Sequence, residues 1–155
     1  MTAPYDGGCV CGAVRYRLTG EPLTLYACHC TECQRHSGSS FALSMPVRRS
    51  ALEVVHGTPR QYDVVVARGV RRRGRYCEAC GTRLWGEPVH LPTMYVVRPG
   101  TLDDTTWLDP VAHLWMRSAQ PWVIVSDDVL RFDTQPPDFG VLIDAWRVTR
   151  ARMRR

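Results

Sequence analysis

The chain has 155 residues, 45% hydrophobic and 23% charged, the balance of an ordinary globular protein long enough to bury its own core. Its net charge is +5, and all 20 basic residues are arginine, whose forked guanidinium suits carboxylates and phosphates better than lysine does. No apolar run approaches the roughly 18–20 residues of a membrane span, and the opening "MTAPYDGGCVCG" lacks the basic and apolar parts of a secretory signal, so a single cytoplasmic domain over residues 1–155 is expected.

Taken along the chain, short apolar or alternating runs at 13–18, 39–45, 51–57, 60–67, 93–98 and 121–126 predict strands, by their β-branched and aromatic content. Gly, Pro and Asp punctuate them, and 100–104 and 126–132 are expected as turns leading into or out of such strands. A short helix is predicted after Thr31, with Gly38 as its stop. A second is predicted near the C-terminus, where Asp138 caps and Phe139, Leu142, Ile143 and Trp146 recur at helical spacing. The remaining "RVTRARMRR" is expected to fray into solvent. The predicted fold class is mostly β.

The seven cysteines carry the chemistry. An odd number argues against a disulfide framework, and Cys9 and Cys11 sit too close for an unstrained bridge, which wants Cα atoms about 4.4–6.8 Å apart. In an extended segment Cys9 and Cys11 point to one face, so both thiolates can reach one ion. In "YCEACGT", Cys77 and Cys80 with Gly81 have the form of a zinc knuckle, a turn that aims two sulfurs inward. Two pairs make a closed four-thiolate site, the pattern of structural zinc. A thioredoxin-type redox role for the CxxC would require a βαβ setting, and none is apparent. That leaves Cys28, Cys30 and Cys33 in "CHCTEC", three ligands with one position open, the pattern of catalytic zinc. His29 lies between two ligands and should point away. His36 could swing in and close the site.

Together, "GGCVCGAVRY", "CHCTECQRHSG" and "YCEACGT" resemble the glutathione-dependent formaldehyde-activating family, also called the GFA or CENP-V domain. The resemblance continues through "YVVRPGTLDD" and "PVAHLWMRSAQPW", covering about residues 5–132 and leaving 133–155 as an extension with a basic tail. It implies an Mss4-like fold of folded-over antiparallel sheets with a zinc ribbon. It also implies two zinc ions per chain, one structural on Cys9, Cys11, Cys77 and Cys80, one catalytic on Cys28, Cys30 and Cys33. The implied reaction joins glutathione to formaldehyde as S-hydroxymethylglutathione and is classed, in reverse, as a carbon–sulfur lyase.

A thiol beside such a zinc would lose its proton near neutral pH, and zinc can instead polarise the aldehyde as a Lewis acid. The first version is favoured because three thiolates blunt the Lewis acidity of the ion. Glutathione carries two carboxylates, for which Arg35 and Arg117 are the candidate partners. Arg71 to Arg73 cannot all aim at one site from a single strand. The rival reading is a zinc-ribbon module for nucleic acid or protein, prompted by the basic stretch 67–76. Nucleic acid is not expected as a partner, because that stretch offers no aromatic platform and a binding ribbon needs no second, open metal site. The expected partners are a small thiol and an aldehyde.

Overall fold

The computed structural model describes residues 2–66 and 69–153. Among the described residues, eleven strands and two α-helices alternate with short 3-10 turns, so the mostly β expectation holds. The backbone packs as two compact units, one within Met1–Pro22 and Met45–Trp107, the other within Leu23–Ser44 and Leu108–Arg155. Among the described residues no helix is long and apolar enough to cross a membrane.

In the first unit, β1 (Tyr5–Gly8), β2 (Arg15–Leu18) and β5 (Leu52–His56) form an antiparallel sheet in the order β1-β2-β5. A second antiparallel run joins β6 (Arg60–Val65), β7 (Arg71–Tyr76), β8 (Arg83–Gly86) and β9 (Met94–Val97) in sequence. The far edge of β9 pairs with Met45–Arg48 of strand β4 (Ala42–Arg48). Tyr16, Leu18, Met45, Val47, Leu84 and Val97 are fully buried between these layers. Tyr16 meets Trp85 edge-on at 5.8 Å, and its hydroxyl reaches the Thr101 hydroxyl at 2.7 Å, which satisfies its polar end.

In the second unit, the first residues of β4 pair antiparallel with β3 (Tyr26–Cys28). Strand β10 (Ala112–Leu114) runs parallel to β3, and β11 (Leu130–Phe132) runs parallel to β10. The helices are α1 (Thr31–Ser37) and α2 (Gly140–Met153). Leu25, Ala27, Ala42, Ala112, Leu114, Leu142 and Trp146 form the core.

The strands expected at 13–18, 51–57, 60–67 and 93–98 form with trimmed ends, and the one at 39–45 forms three residues later. Ala67 lies outside the described residues. The strand expected at 121–126 does not form. Trp122 and Ile124 are 68% and 95% exposed, and the backbone turns there through Val123 N–H donating to the Gln120 carbonyl. The edge of β10 is taken instead by β11, from the stretch expected as a turn, so residues 121–126 have no partner edge to bury against. Strands β1, β3 and β10 went unpredicted. They are three or four residues long, and β1 ends in two glycines, so pairing and not propensity makes them strands.

Helix α1 starts after Cys30 and ends at Gly38 in the left-handed conformation, as expected. At α2 the Gly140 N–H donates to Asp138 at 2.8 Å, the predicted cap. The tail beyond it departs from expectation. Helix α2 continues to Met153, and Arg150 is buried with its guanidinium 5.6 Å from the Trp146 ring centre. Leu142, Trp146 and Arg150 recur every four residues, so the arginine stem falls on the packed face and only its neighbours are solvated. Arg154 and Arg155 lie outside the described residues.

Candidate metal centres

None of the seven cysteines is in a disulfide, and their sulfurs gather into two groups. In the first, the loop after β1 carries Cys9 and Cys11 and is closed by Cys9 N–H to the Val14 carbonyl and Gly12 N–H to the Cys9 carbonyl, both 3.0 Å. The turn between β7 and β8 carries Cys77 and Cys80. Gly81 N–H donates to the Cys77 carbonyl at 2.8 Å, with Gly81 at φ 73°, a left-handed turn that a side chain would strain. The sulfurs of Cys9 and Cys11 approach to 3.5 Å and those of Cys11 and Cys77 to 3.8 Å. All four lie within 4.8 Å of one another.

Local donors prepare this group for charge. The Thr82 hydroxyl lies 3.2 Å from the Cys80 sulfur and, with the Thr82 amide, draws that thiol down to about 6. Burial opposes ionisation of Cys9, but the Val14 amide donating to its sulfur and the neighbouring thiols hold its pKa below the ordinary value. The Ala13 amide favours the Cys11 thiolate, but the sulfurs of Cys80 and Cys9 outweigh it and push the thiol up to about 12. Four sulfurs at this spacing cannot all ionise without a cation among them, and four converging thiolates are the donor set of a closed tetrahedral zinc site.

The second group is built from one strand end and one helix start. Cys28 ends β3, Cys30 is the N-cap of α1, and Cys33 lies in its first turn. The three sulfurs lie within 4.8 Å of one another. Cys28 and Cys30 are buried, while Cys33 is partly exposed. The Cys30 and Cys33 thiols, and then burial, push the Cys28 thiol far up, which again calls for a cation.

His29 points away from the sulfurs, as expected. Its Nε2 lies 2.8 Å from His113 Nδ1, the rings stack at 5.1 Å, and Phe41 packs against His29 at the same centroid distance. His29 Nδ1 is buried with no partner. A proton there would be an unsatisfied buried donor, so the arrangement assigned is His29 Nε2–H donating to His113. Burial holds both imidazoles below their ordinary pKa, and so neutral. Among the described residues, neither His29 nor His36 joins the three-sulfur group.

The peptide between Cys28 and Cys30 is bracketed in a way that sequence reasoning missed. Gln34 Nε2 donates to the His29 carbonyl and to the Ser118 carbonyl, both at 2.7 Å, and Gln120 donates to Gln34 Oε1 at 3.0 Å. The Ser118 hydroxyl donates to the His29 carbonyl at 3.1 Å, and His29 N–H donates to the Leu114 carbonyl at 2.9 Å. A lone glutamine in a short helix carries no sequence signal for such a role. The bracket brings the turn at Met116–Ser118 onto the cysteine loop. Arg117, in that turn, is exposed and stacks 4.8 Å over Trp115, a residue held in the left-handed region at φ 62°. Arg35 is exposed in the last turn of α1.

The basic stretch 67–76 divides between faces, with Ala67 and Arg68 outside the described residues. Arg71 and Arg73 both bind Asp63, and Arg75 binds Glu87, so these three charges are met within the sheet.

Comparison with known proteins agrees with this architecture. A crystal structure of a Rhodobacter sphaeroides protein superposes with a TM-score of 0.51 at 26% identity, over 65% of this chain and 90% of that one. A protein of Halomonas elongata, named provisionally as a glutathione-dependent formaldehyde-activating enzyme, is 26% identical over 127 residues, 76% of this chain and 78% of its own. The family described as glutathione-dependent formaldehyde-activating enzyme matches residues 4–118, a span that contains both cysteine groups. With its mostly β, Mss4-like fold, the chain belongs to the glutathione-dependent formaldehyde-activating enzyme family.

Proposed function

We propose that this protein is a zinc-dependent enzyme of the carbon–sulfur lyase type that interconverts glutathione plus formaldehyde with S-hydroxymethylglutathione. Residues 1–155 then act as one functional domain in the cytoplasm. Cys9, Cys11, Cys77 and Cys80 would hold a structural zinc, and Cys28, Cys30 and Cys33 a catalytic one. The observation that carries this reading is the contrast in ligand number: four sulfurs converge in one group and three in the other. Zinc bound to the three would lower the pKa of a nearby thiol and polarise a nearby carbonyl.

The chain's own residues supply the rest. Cys33 is the accessible sulfur, so substrate approaches from its side. The bracket of Gln34 and Ser118 on the His29 carbonyl keeps the three ligands in place without help from substrate. Arg117, pre-oriented on Trp115, and Arg35 offer forks to the carboxylates of glutathione. In the forward direction the S–C bond forms, the aldehyde π bond breaks, and the thiol proton ends on the new hydroxyl oxygen. No electrons leave or enter.

The test is exchange spectroscopy by NMR on mixtures of glutathione and formaldehyde. The zinc-loaded protein should accelerate exchange above the spontaneous rate, and Cys30→Ser should not. Equal rates with and without protein would refute the activity.

A further inference from the structure

Trp115, the residue after β10, stands at φ 62° and ψ 41°. Every other positive-φ position among the described residues is a glycine. The left-handed region crowds any Cβ, so a bulky side chain held there marks a place where the surroundings override local preference. Alternation along β10 shows what the turn avoids. Ala112 and Leu114 are buried on one face, while His113, on the other, stacks with His29 at 5.1 Å. An extended Trp115 would follow His113 onto that second face, where Phe41 already packs against both His29 and His113. The left-handed turn sends the indole elsewhere. Its ring centre lies 4.8 Å from the Arg117 guanidinium, and its Nε1–H donates to Gln135 Oε1 at 3.4 Å.

Hydrogen bonds hold the strained turn from two sides. Just after β11, the Thr134 carbonyl accepts the Trp115 N–H at 3.2 Å, and the Asp133 carbonyl accepts the Arg117 N–H at 3.5 Å. Within the turn, the Ser118 N–H and hydroxyl both reach the Trp115 carbonyl at 3.1 Å. The same hydroxyl lies 3.1 Å from the His29 carbonyl, between Cys28 and Cys30. Trp115 is thereby fastened to the loop that presents the three sulfurs, and Arg117 stands between two anchored positions. An exposed arginine gives up rotamer freedom when it grips an anion. Stacked on a fixed ring, Arg117 has surrendered part of that freedom before any ligand arrives.

We propose that Trp115 is a positioning residue for thiol specificity: its left-handed turn lays the indole against Arg117 and so sets that guanidinium for the carboxylates of an acidic thiol at the three-sulfur group. This rests on the reading of Arg117 given above and deepens it. Trp115 touches no substrate in this scheme. It acts through the arginine, and the strain at its backbone is what keeps the ring off the His29–His113 face and beside the guanidinium.

The experiment is a titration of the full-length, cobalt-substituted protein with glutathione and with mercaptoethanol, followed by its visible spectrum. The parent should bind glutathione the tighter. Trp115→Gly should narrow that preference roughly two- to fivefold, the worth of a cation–π contact at an exposed site, while mercaptoethanol binds as in the parent. In an Arg117→Ala background, Trp115→Gly should change the preference no further, because the ring works through that arginine. Thermal melting reads the strain. Glycine ordinarily melts below alanine, yet at φ 62° Trp115→Gly should melt above Trp115→Ala. Should the small variants fold poorly, Trp115→Leu and Trp115→Phe differ only in the aromatic ring, and only the leucine should lose the preference. A parent that binds both thiols alike would overturn the reading of Arg117 and this proposal together. A parent that prefers glutathione, with the preference intact in Trp115→Gly or Trp115→Leu, would overturn the proposal alone. So would a further loss from Trp115→Gly in the Arg117→Ala background, or a Trp115→Ala protein that melts above Trp115→Gly.

Discussion

Cys11 and Cys77 bring their sulfurs to 3.8 Å from positions 66 residues apart, whereas Cys28, Cys30 and Cys33 all lie within one strand end and the first turn of α1. A cation in the first group closes a long loop, and its binding energy becomes folding energy. A cation in the second closes almost nothing, because hydrogen bonds donated by Gln34 and Ser118 to the His29 carbonyl, and by the His29 N–H to the Leu114 carbonyl, already fix the loop that presents the three sulfurs. The comparison teaches that ligand type alone does not separate a structural from a catalytic site. On the function proposed above, what separates the two groups is whether a metal or the protein would hold the sulfurs together.

The strongest way to break this contrast is to remove one sulfur from each group. Cys80→Ser should leave the protein insoluble or unfolded, since apparent binding energies at structural zinc sites reach about 10–16 kcal/mol. A soluble variant with an unchanged melting curve would contradict the assignment. Cys30→Ser, by contrast, should halve the zinc content and abolish formaldehyde–glutathione exchange while the far-UV circular dichroism stays as in the parent. A collapse as complete as that of Cys80→Ser would make both groups structural.

Smaller effects sharpen the comparison. In cobalt-substituted protein, glutathione should perturb the visible spectrum at lower concentration than mercaptoethanol, with both affinities rising as pH approaches the thiol pKa. Arg117→Ala should narrow that preference by roughly tenfold, the worth of a charge-assisted hydrogen bond. An unmoved cobalt spectrum with either thiol would mean a closed site. Gln34→Ala strips a donor from the His29 and Ser118 carbonyls and should cost on the order of 1–3 kcal/mol in urea denaturation, with faster loss of the second metal to a chelator. Unchanged chelation kinetics would show that the bracket does not position the ligands.

The smallest effect is a pH dependence on the sheet of the four-sulfur group. Arg71 and Arg73 hold the Asp63 carboxyl below its ordinary pKa. A carboxylate depressed by folding contributes stability above its unfolded pKa, and that contribution is lost as pH falls through the folded value. Asp63→Asn should therefore flatten the acid limb of the stability profile below about pH 4, slightly, because exposed pairs are well screened. Superimposable acid limbs for parent and variant would show that the pair contributes nothing.

How much of this was legible in the sequence depended on whether the signal was local. Cysteine spacing is local, and both groups were readable before any fold was known. So was α1, whose start and Gly38 stop lie within eight residues. The strand predicted at 121–126 failed because propensity cannot report whether an edge is free, and β11 had taken it. Arg150 was misread because its polarity outweighed its place four residues after Trp146. The Gln34 bracket and the His29–His113 pair join positions more than eighty residues apart, and nothing within either segment announces the other.

The make-up of α1 bears on how the protein would report a cation at the proposed second metal site. The helix is seven residues long and buries none of them, so neither length nor packing sustains it. Its first turn is capped by a sulfur, Cys30, which accepts the Cys33 amide at 3.3 Å and also belongs to the three-sulfur group. Charge on that sulfur would therefore serve two ends at once, a cation held by the proposed site and the start of the helix. Amide exchange at Cys33 becomes a built-in gauge of occupancy, readable without substrate, spectroscopic metal or turnover.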